Sequence, residues 1–271
     1  MVAVCSCKGS PGATTVAVGL AGCWPGGGAV VVEADPHGGD LGDRFGYATP
    51  PGVGSAATVA RHGTGPGWLG EHLQRLPLGV QVLLGPRSAE SATAAVASLA
   101  RRPEGLRDHG GPAVIVDVGR MGLGSAAAPL VAAADVLLVV TRPDLADLRH
   151  VATGLARLPH PVRRRARLVL AGSGTYGPRE ISRDLGVPVA VSVPADRWGA
   201  AVLAGRSGMV RGWRRLRAPR ALAMLAAQLA GTARTSAPVR SGPAGTPPGG
   251  SPATASHSGG RGGQVVEVST P

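Results

Sequence analysis

Residues 2–7 read Val-Ala-Val-Cys-Ser-Cys and run directly into Lys8-Gly9-Ser10-Pro11-Gly12-Ala13-Thr14-Thr15. The first run is short, partly β-branched and ends at glycine, which predicts a strand. Thr14 to Gly22 is small and apolar and predicts the start of a helix. A strand that passes through a glycine loop into a helix is the setting a phosphate-binding loop requires. Loop N–H groups and the helix N-terminus there present partial positive charge to an anion. Lys8 is the only lysine in 271 residues, the other 27 basic side chains being arginine. Ammonium is a compact point charge that fits among phosphate oxygens, whereas guanidinium is a planar fork. The exception at the head of the loop therefore points to phosphate. Thr14 is placed to offer a hydroxyl to a magnesium ion bridging phosphates.

The loop departs from the ordinary pattern GxxxxGK[ST]. Gly12-Ala13-Thr14 falls on Gly-Lys-Thr, so alanine stands where the phosphate lysine belongs. A charge-assisted hydrogen bond contributes about 1.5–3 kcal/mol, so its loss weakens nucleotide binding by about 10- to 100-fold. Pro11 removes one loop N–H as well. Two readings stay open at this point: a nucleotide site, or a retained fold with an inert loop.

With these residues in place, the chain resembles the ParA/MinD family of deviant Walker A ATPases, whose loop reads KGGxGKTT. Lys8, Gly9, Gly12, Thr14 and Thr15 match; Ser10 replaces a glycine and Ala13 the second lysine. Two further segments support the resemblance. Val30-Val31-Val32-Glu33-Ala34-Asp35-Pro36-His37-Gly38-Gly39-Asp40 is similar to the family's DxDPQGN segment, with Glu33 replacing its first aspartate. Val114-Ile115-Val116-Asp117 is an apolar strand ending in an acid, as Walker B requires. The resemblance runs on through Ala134–Pro143 and Val193–Asp196 and covers about residues 1–230. It implies ATP and Mg2+ as cofactors and a homodimer that sandwiches nucleotide, with Lys8 reaching phosphates across it. It further implies that Asp35 positions the attacking water, that Thr14 and Asp117 lie at the metal, and that Pro194 and Asp196 lie at the adenine. Within the family the weak loop is most similar to the actinobacterial branch near the pilus and secretion proteins CpaE and TadZ. The implied role is a nucleotide switch or positioning factor in chromosome partition, septum placement or pilus and secretion assembly, with slow hydrolysis or none.

Apolar runs recur near 2–7, 29–34, 80–84, 113–117, 136–140, 167–171 and 188–193, with helical patterns such as Ala89–Arg101 and Leu145–Leu158 between them. Strands alternating with helices predict an α/β fold, a doubly wound, mainly parallel sheet with helices on both faces and ligands at strand C-termini. An apolar content of 44% permits one core of about 230 residues. We expect a single domain over 1–231. Residues 232–271, rich in Ser, Pro, Gly, Thr and Ala, are expected to be a disordered tail. Val265-Val266-Glu267-Val268 within it is read as an idle terminus in preference to a docking strand.

The net charge of +12 is unevenly placed. Residues 1–160 balance, while residues 161–240 hold 15 arginines against Glu180, Asp184 and Asp196. Two runs stand out, Arg163-Arg164-Arg165-Ala166-Arg167 and Arg211-Gly212-Trp213-Arg214-Arg215-Leu216-Arg217. Such clusters bind phosphate backbones without sequence preference, which makes DNA a candidate partner beside a secretion or partition protein. The second run, with Trp213 and Leu216, is also a candidate contact for an anionic membrane or an acidic protein. A solvated basic face is the plain alternative. No run is long enough for a transmembrane segment, and with no signal peptide at its head the chain is expected to be cytoplasmic.

Other chemistry finds little support. Cys5, Cys7 and Cys23 have no metal-ligand spacing and are expected as reduced, buried thiols. His37 sits beside Asp35, where a turn histidine explains it as well as a phosphate sensor. No GxSxG is present for acyl transfer. A dinucleotide-binding oxidoreductase, with Glu33 or Asp35 at the ribose, lacks GxGxxG and leaves Lys8 and Thr14-Thr15 unexplained. The remaining competitor is a pseudo-ATPase scaffold that binds no nucleotide and acts through its arginine-rich C-terminal region.

Overall fold

The apolar runs form strands because most of their residues are β-branched or aliphatic, as the central strands, covered on both faces, require. They are β1 (Val2–Ser6), β2 (Ala29–Glu33), β4 (Gln81–Leu83), β5 (Ala113–Arg120), β6 (Val136–Thr141), β7 (Ala166–Ala171) and β8 (Val189–Val193). A two-residue strand, β3 (Gln74–Arg75), joins them. This computed structural model describes residues 1–236 except 27, 63, 64, 66, 123 and 209. The tail and the Val265–Val268 segment lie outside the described residues. The final helix, Arg217–Ser236, continues through the point at which the tail was expected to begin.

The eight strands make one sheet in the order β3-β4-β2-β5-β1-β6-β7-β8. All pairings are parallel except β3 with β4. The doubly wound architecture is therefore as expected. β3 escaped the sequence reading because Gln74-Arg75 carries no apolar pattern; it exists as a short antiparallel edge strand against Gln81 and Val82.

Side chains alternate between two cores. Ala3, Cys5, Val30, Val32, Val114, Val116, Leu137 and Val139 face one side, packed with Val96, Leu99, Leu130 and Val151 from crossover helices. Val2, Val4, Val31, Ile115, Leu138 and Val140 face the other, packed with Val16, Leu20, Val202, Leu222 and Leu225. On this second face the helix Ala13–Gly22 lies against Arg217–Ser236, and the approach is close. A Cβ on Gly19 would fall 2.4 Å from Leu222 Cδ1. The helix Ala89–Leu99 is capped by Ser88, whose Oγ accepts from the Ser91 N–H, as an N-cap serine does. Cys5, Cys7 and Cys23 are free thiols, Cys5 fully buried and the other two half-buried.

The arginine runs are partly consumed by the fold. Arg165 donates to the carbonyls of Pro161, Ala134 and Ala132, tying the entry of β7 to that of β6. Arg167 donates to the carbonyls of Arg164 and Ala166. Arg163 and Arg164 remain as the exposed cations of that run. In the second run Trp213 is only 4% exposed. Its ring covers Gly22, where a Cβ would lie 2.8 Å from it, and Arg214 stacks on it at 4.9 Å while donating to the Gly22 carbonyl. Trp213 is thus not available to the candidate membrane contact: the indole belongs to the core, where its apolar area is covered by the first helix. Leu216 is half-buried against the same core. No helix among the described residues is long and apolar enough to cross a membrane.

Burial of this kind gives a direct expectation. Trp213→Ala lowers the unfolding free energy by about 3–5 kcal/mol, read from urea denaturation. A change within about 0.5 kcal/mol would show the indole to be a surface group.

Candidate functional site

Three neighbouring strands, β2, β5 and β1, end on the same edge of the sheet and bring Glu33, Asp117 and Ser6 there together. The loop after β1 turns on two glycines with left-handed backbone, Gly9 at φ 67° and Gly12 at φ 100°, values that glycine adopts at little cost. Gly12 is the N-cap of the helix Ala13–Gly22, has no capping side chain, and leaves a first turn free of acidic residues. The first closing hydrogen bond is Val16 N–H to Gly12 O at 2.8 Å. The N–H groups of Ala13, Thr14 and Thr15 therefore have no protein acceptor among the described residues. Orphan donors at a helix N-terminus together with the helix dipole make an anion site.

The loop borders a cleft of about 330 Å³ lined by Gly9, Gly12, Thr14, Asp35, Asp117 and Arg120, among others. Asp117 is 1% exposed and accepts from the Gly119 N–H at 3.1 Å. Burial pushes its pKa up to about 6, against the Thr14 hydroxyl and the Gly119 N–H, which favour the carboxylate; Asp35 and Asp40 add to the upward push. Thr14 and Asp117 thus stand together, a hydroxyl and a carboxylate at the end of the loop. These are hard oxygen donors of the kind magnesium takes, usually one or two from protein and the rest from phosphate and water. The donor set fits that ion. No group of three or more His, Cys, Asp or Glu among the described residues could hold a metal unaided.

Asp35 lies across the cleft. Its Oδ1 accepts from the His37 N–H at 2.9 Å and meets His37 Nδ1 at 3.0 Å. Its carboxylate also presses on Gly119, where a Cβ would fall 1.8 Å from Oδ2. His37 is thus a partner that fixes Asp35 as well as a lining residue. Glu33 plays a different part from the aspartate it replaces in the resemblance. It is 2% exposed, with Oε1 accepting from the N–H groups of Asp40 and Leu41 and Oε2 from Gly85, each at 2.8 Å. The carboxylate fastens the ends of β2 and β4 to the turn at 38–41. Gly39 and Gly85 leave room for it, since a Cβ on Gly39 would lie 2.5 Å from Oε2. With its oxygens so engaged, Glu33 offers nothing to a ribose, which removes that part of the oxidoreductase alternative.

Ser10, Pro11, Gly12 and Thr15 also line a second cleft, of about 290 Å³, on the far side of the loop, together with Pro194 and Asp196. The structure thus brings both sequence-selected residues to the loop, but Asp196 is occupied. Oδ1 accepts from Gly199 N–H and Oδ2 from Ala218 N–H, both at 2.9 Å. Burial pushes its pKa up, yet the N–H groups of Ala218, Gly199 and Trp198, with Arg217, hold it below the usual carboxylate range. Asp196 caps the helix Arg197–Leu203 and anchors the start of the last helix. Lys8 is exposed, lines neither cleft of its own chain, and has no hydrogen bond or ion pair among the described residues.

Sequence reasoning passed over Arg120, Arg44, Asp40 and Ser6, all of which line the first cleft. Asp40 pairs with Arg44. The one available signal was Gly119, just after the apolar run 113–117, because an isolated glycine in a strand pattern marks a bulge.

No protein-family model matches the chain, and no curated protein matches it in sequence. Solved structures do match in fold. A ParA family ATPase from Chlorobium tepidum is 19% identical with TM-score 0.68, over 84% of this chain and 97% of that one. The cell division ATPase MinD of Pyrococcus furiosus is 18% identical with TM-score 0.67, over 85% and 98%. The septum site-determining protein MinD of Pyrococcus horikoshii, in complex with Mg-ADP, is 18% identical with TM-score 0.65, over 88% and 98%. At these identities the likeness establishes the fold, that of the ParA/MinD ATPases.

Two expectations follow from the buried acids. Asp196→Ala removes a cap from two helices and costs about 1–2 kcal/mol in urea denaturation; no change would return the side chain to ligand contact. For Glu33, burial raises the folded pKa from 4.5 to about 7 despite the backbone N–H groups. Between those values the folded state holds a proton that the unfolded state has lost, so stability falls as pH rises. The stability of wild type relative to Glu33→Gln, whose amide does not titrate, is highest below pH 4.5 and declines up to pH 7. Growth of that difference with pH would mean that the three N–H groups outweigh burial.

Proposed function

We propose that the chain is a ParA/MinD-like ATP-binding protein, working as a dimerising nucleotide switch or positioning factor. The observation that carries this reading is the uncapped first turn of the helix Ala13–Gly22, which sets Thr14 against Asp117 of β5. Phosphates would rest on the N–H groups of Ala13, Thr14 and Thr15. Thr14 and Asp117 would hold magnesium, which would supply positive charge to offset the phosphates. Asp35, fixed by His37 and Gly119, would orient a water. Adenine would lie in the second cleft near Pro194, with Asp196 shaping the wall as a helix cap.

Ala13 leaves the loop without its own cation, so hydrolysis is slow or absent. Lys8 is exposed, has no partner among the described residues and lies outside its own cleft, which supports a role across a homodimer in place of one within the subunit. The weak loop, with Ala13 in place of the second lysine, is what supports the finer placement near CpaE and TadZ, in a cytoplasmic protein serving partition, septum or secretion machinery.

A second reading is favoured by the electrostatics. Glu33, Asp35, Asp40 and Asp117 all border the cleft, and four acids repel phosphate unless cations offset them. In that case the chain is a scaffold without nucleotide, acting on DNA or a protein partner through exposed residues such as Arg163 and Arg164.

Calorimetry of the full chain with Mg·ATP separates the two. The switch predicts binding in the micromolar range, weakened about tenfold or more by Lys8→Ala and tightened by Ala13→Lys. No binding at millimolar ATP makes the chain a scaffold. Unchanged affinity in Ala13→Lys would show that the loop does not cradle phosphate.

A further inference from the structure

β5 runs parallel to β1 with Val2 opposite Ile115, Ala3 opposite Val116 and Val4 opposite Asp117, but Ser6 stands opposite Arg120. β5 thus spends one residue more than β1 between these pairs, and the extra residue is a bulge at Val118–Gly119. Gly119 has φ 61°, the left-handed conformation a glycine at such a bulge takes. In an unbroken ladder Ser6 would face Gly119, and residue 120 would point to the opposite side, where Cys5 is buried. The bulge reverses that. Side chains opposite each other in a ladder share a face, and a one-residue shift exchanges the faces. Arg120 therefore emerges on the side of Val4, Ser6 and Asp117, where the loop and its helix lie, and it lines the same cleft.

The bulge is held from three directions. Asp117 accepts the Gly119 N–H, Met121 N–H donates to Ser6 O at 2.8 Å, and the Asp35 carboxylate fills the place of a Gly119 Cβ. Two arginines line the cleft. Arg44 is engaged by Asp40, while Arg120 is exposed and has no ion pair or side-chain hydrogen bond among the described residues. The same cleft is where Ala13 fails to supply a cation.

We propose that Arg120, turned into the cleft by the Val118–Gly119 bulge, binds the nucleotide phosphates and supplies the positive charge missing at Ala13. This rests on the ATP-site reading above. Within the subunit, the phosphate cation thus comes from β5 and not from position 13 of the loop. A guanidinium suits that position because its fork can take two phosphate oxygens at once from the side of the cleft.

The test is a double-mutant cycle on the full chain, read by Mg·ATP calorimetry. Arg120→Ala weakens binding by about 10- to 100-fold, and Arg120→Gln, which keeps most of the side-chain bulk, does the same with the fold intact by circular dichroism. Ala13→Lys then gains more affinity in the Arg120→Ala background than in wild type, because the two cations serve one anion. Unchanged affinity in both Arg120 variants overturns the proposal and leaves the ATP site standing. An equal gain from Ala13→Lys in both backgrounds also overturns it, since the charges would then be independent. No ATP binding by wild type removes the ATP site and this proposal together.

Discussion

The ladder between β5 and β1 governs the rest of this molecule. Both strands are buried on both faces, so each residue is committed to one of two cores. Val4 and Ile115 go to the side of the first helix; Ala3 and Val116 go to the other. Sliding either strand by one position would exchange every such assignment. That commitment fixes where β1 ends, hence where the loop begins. It also fixes where β5 delivers Asp117, beside the first turn of the helix that follows the loop. The single break in the ladder falls after both cores are satisfied, at the edge where ligands bind in sheets of this type.

Charge at that edge is balanced by geometry more than by number. Two of the acids, Glu33 and Asp117, are almost fully buried, and burial drives both pKa values upward. Three backbone N–H groups offset part of the desolvation of Glu33. In exchange it closes the ends of β2 and β4 over the turn at 38–41. For Asp117 the offsetting partners are the Thr14 hydroxyl and the Gly119 N–H. Asp35 remains partly open, oriented by His37 and by the glycine beneath it. The loop N–H groups are then the anion-seeking part of a site whose acids demand positive charge between them.

The arginines show why a net charge overstates a basic surface. Arg165 and Arg167 donate to backbone carbonyls, Arg214 covers Trp213, and Arg44, Arg87, Arg107 and Arg183 pair with acids. A guanidinium has five N–H donors in fixed directions, so it readily serves as a joint between segments. What is left for partners is smaller and more local than the runs at 163–167 and 211–217 imply.

From sequence alone came the seven main strands, the helix after the loop, and the convergence of Thr14, Asp35 and Asp117. These are legible because fully buried parallel strands leave unbroken aliphatic runs, and because a loop that must bend at φ values only glycine tolerates marks its own place. The tertiary structure alone decided four things: the use of Glu33 as a backbone clasp, the burial of Trp213, the capping duty of Asp196 and the direction of Arg120. Each depends on what lies across a register or a packing interface tens of residues away. Local pattern states which residue types are present; only the pairing of β5 with β1 states which side of the sheet residue 120 faces.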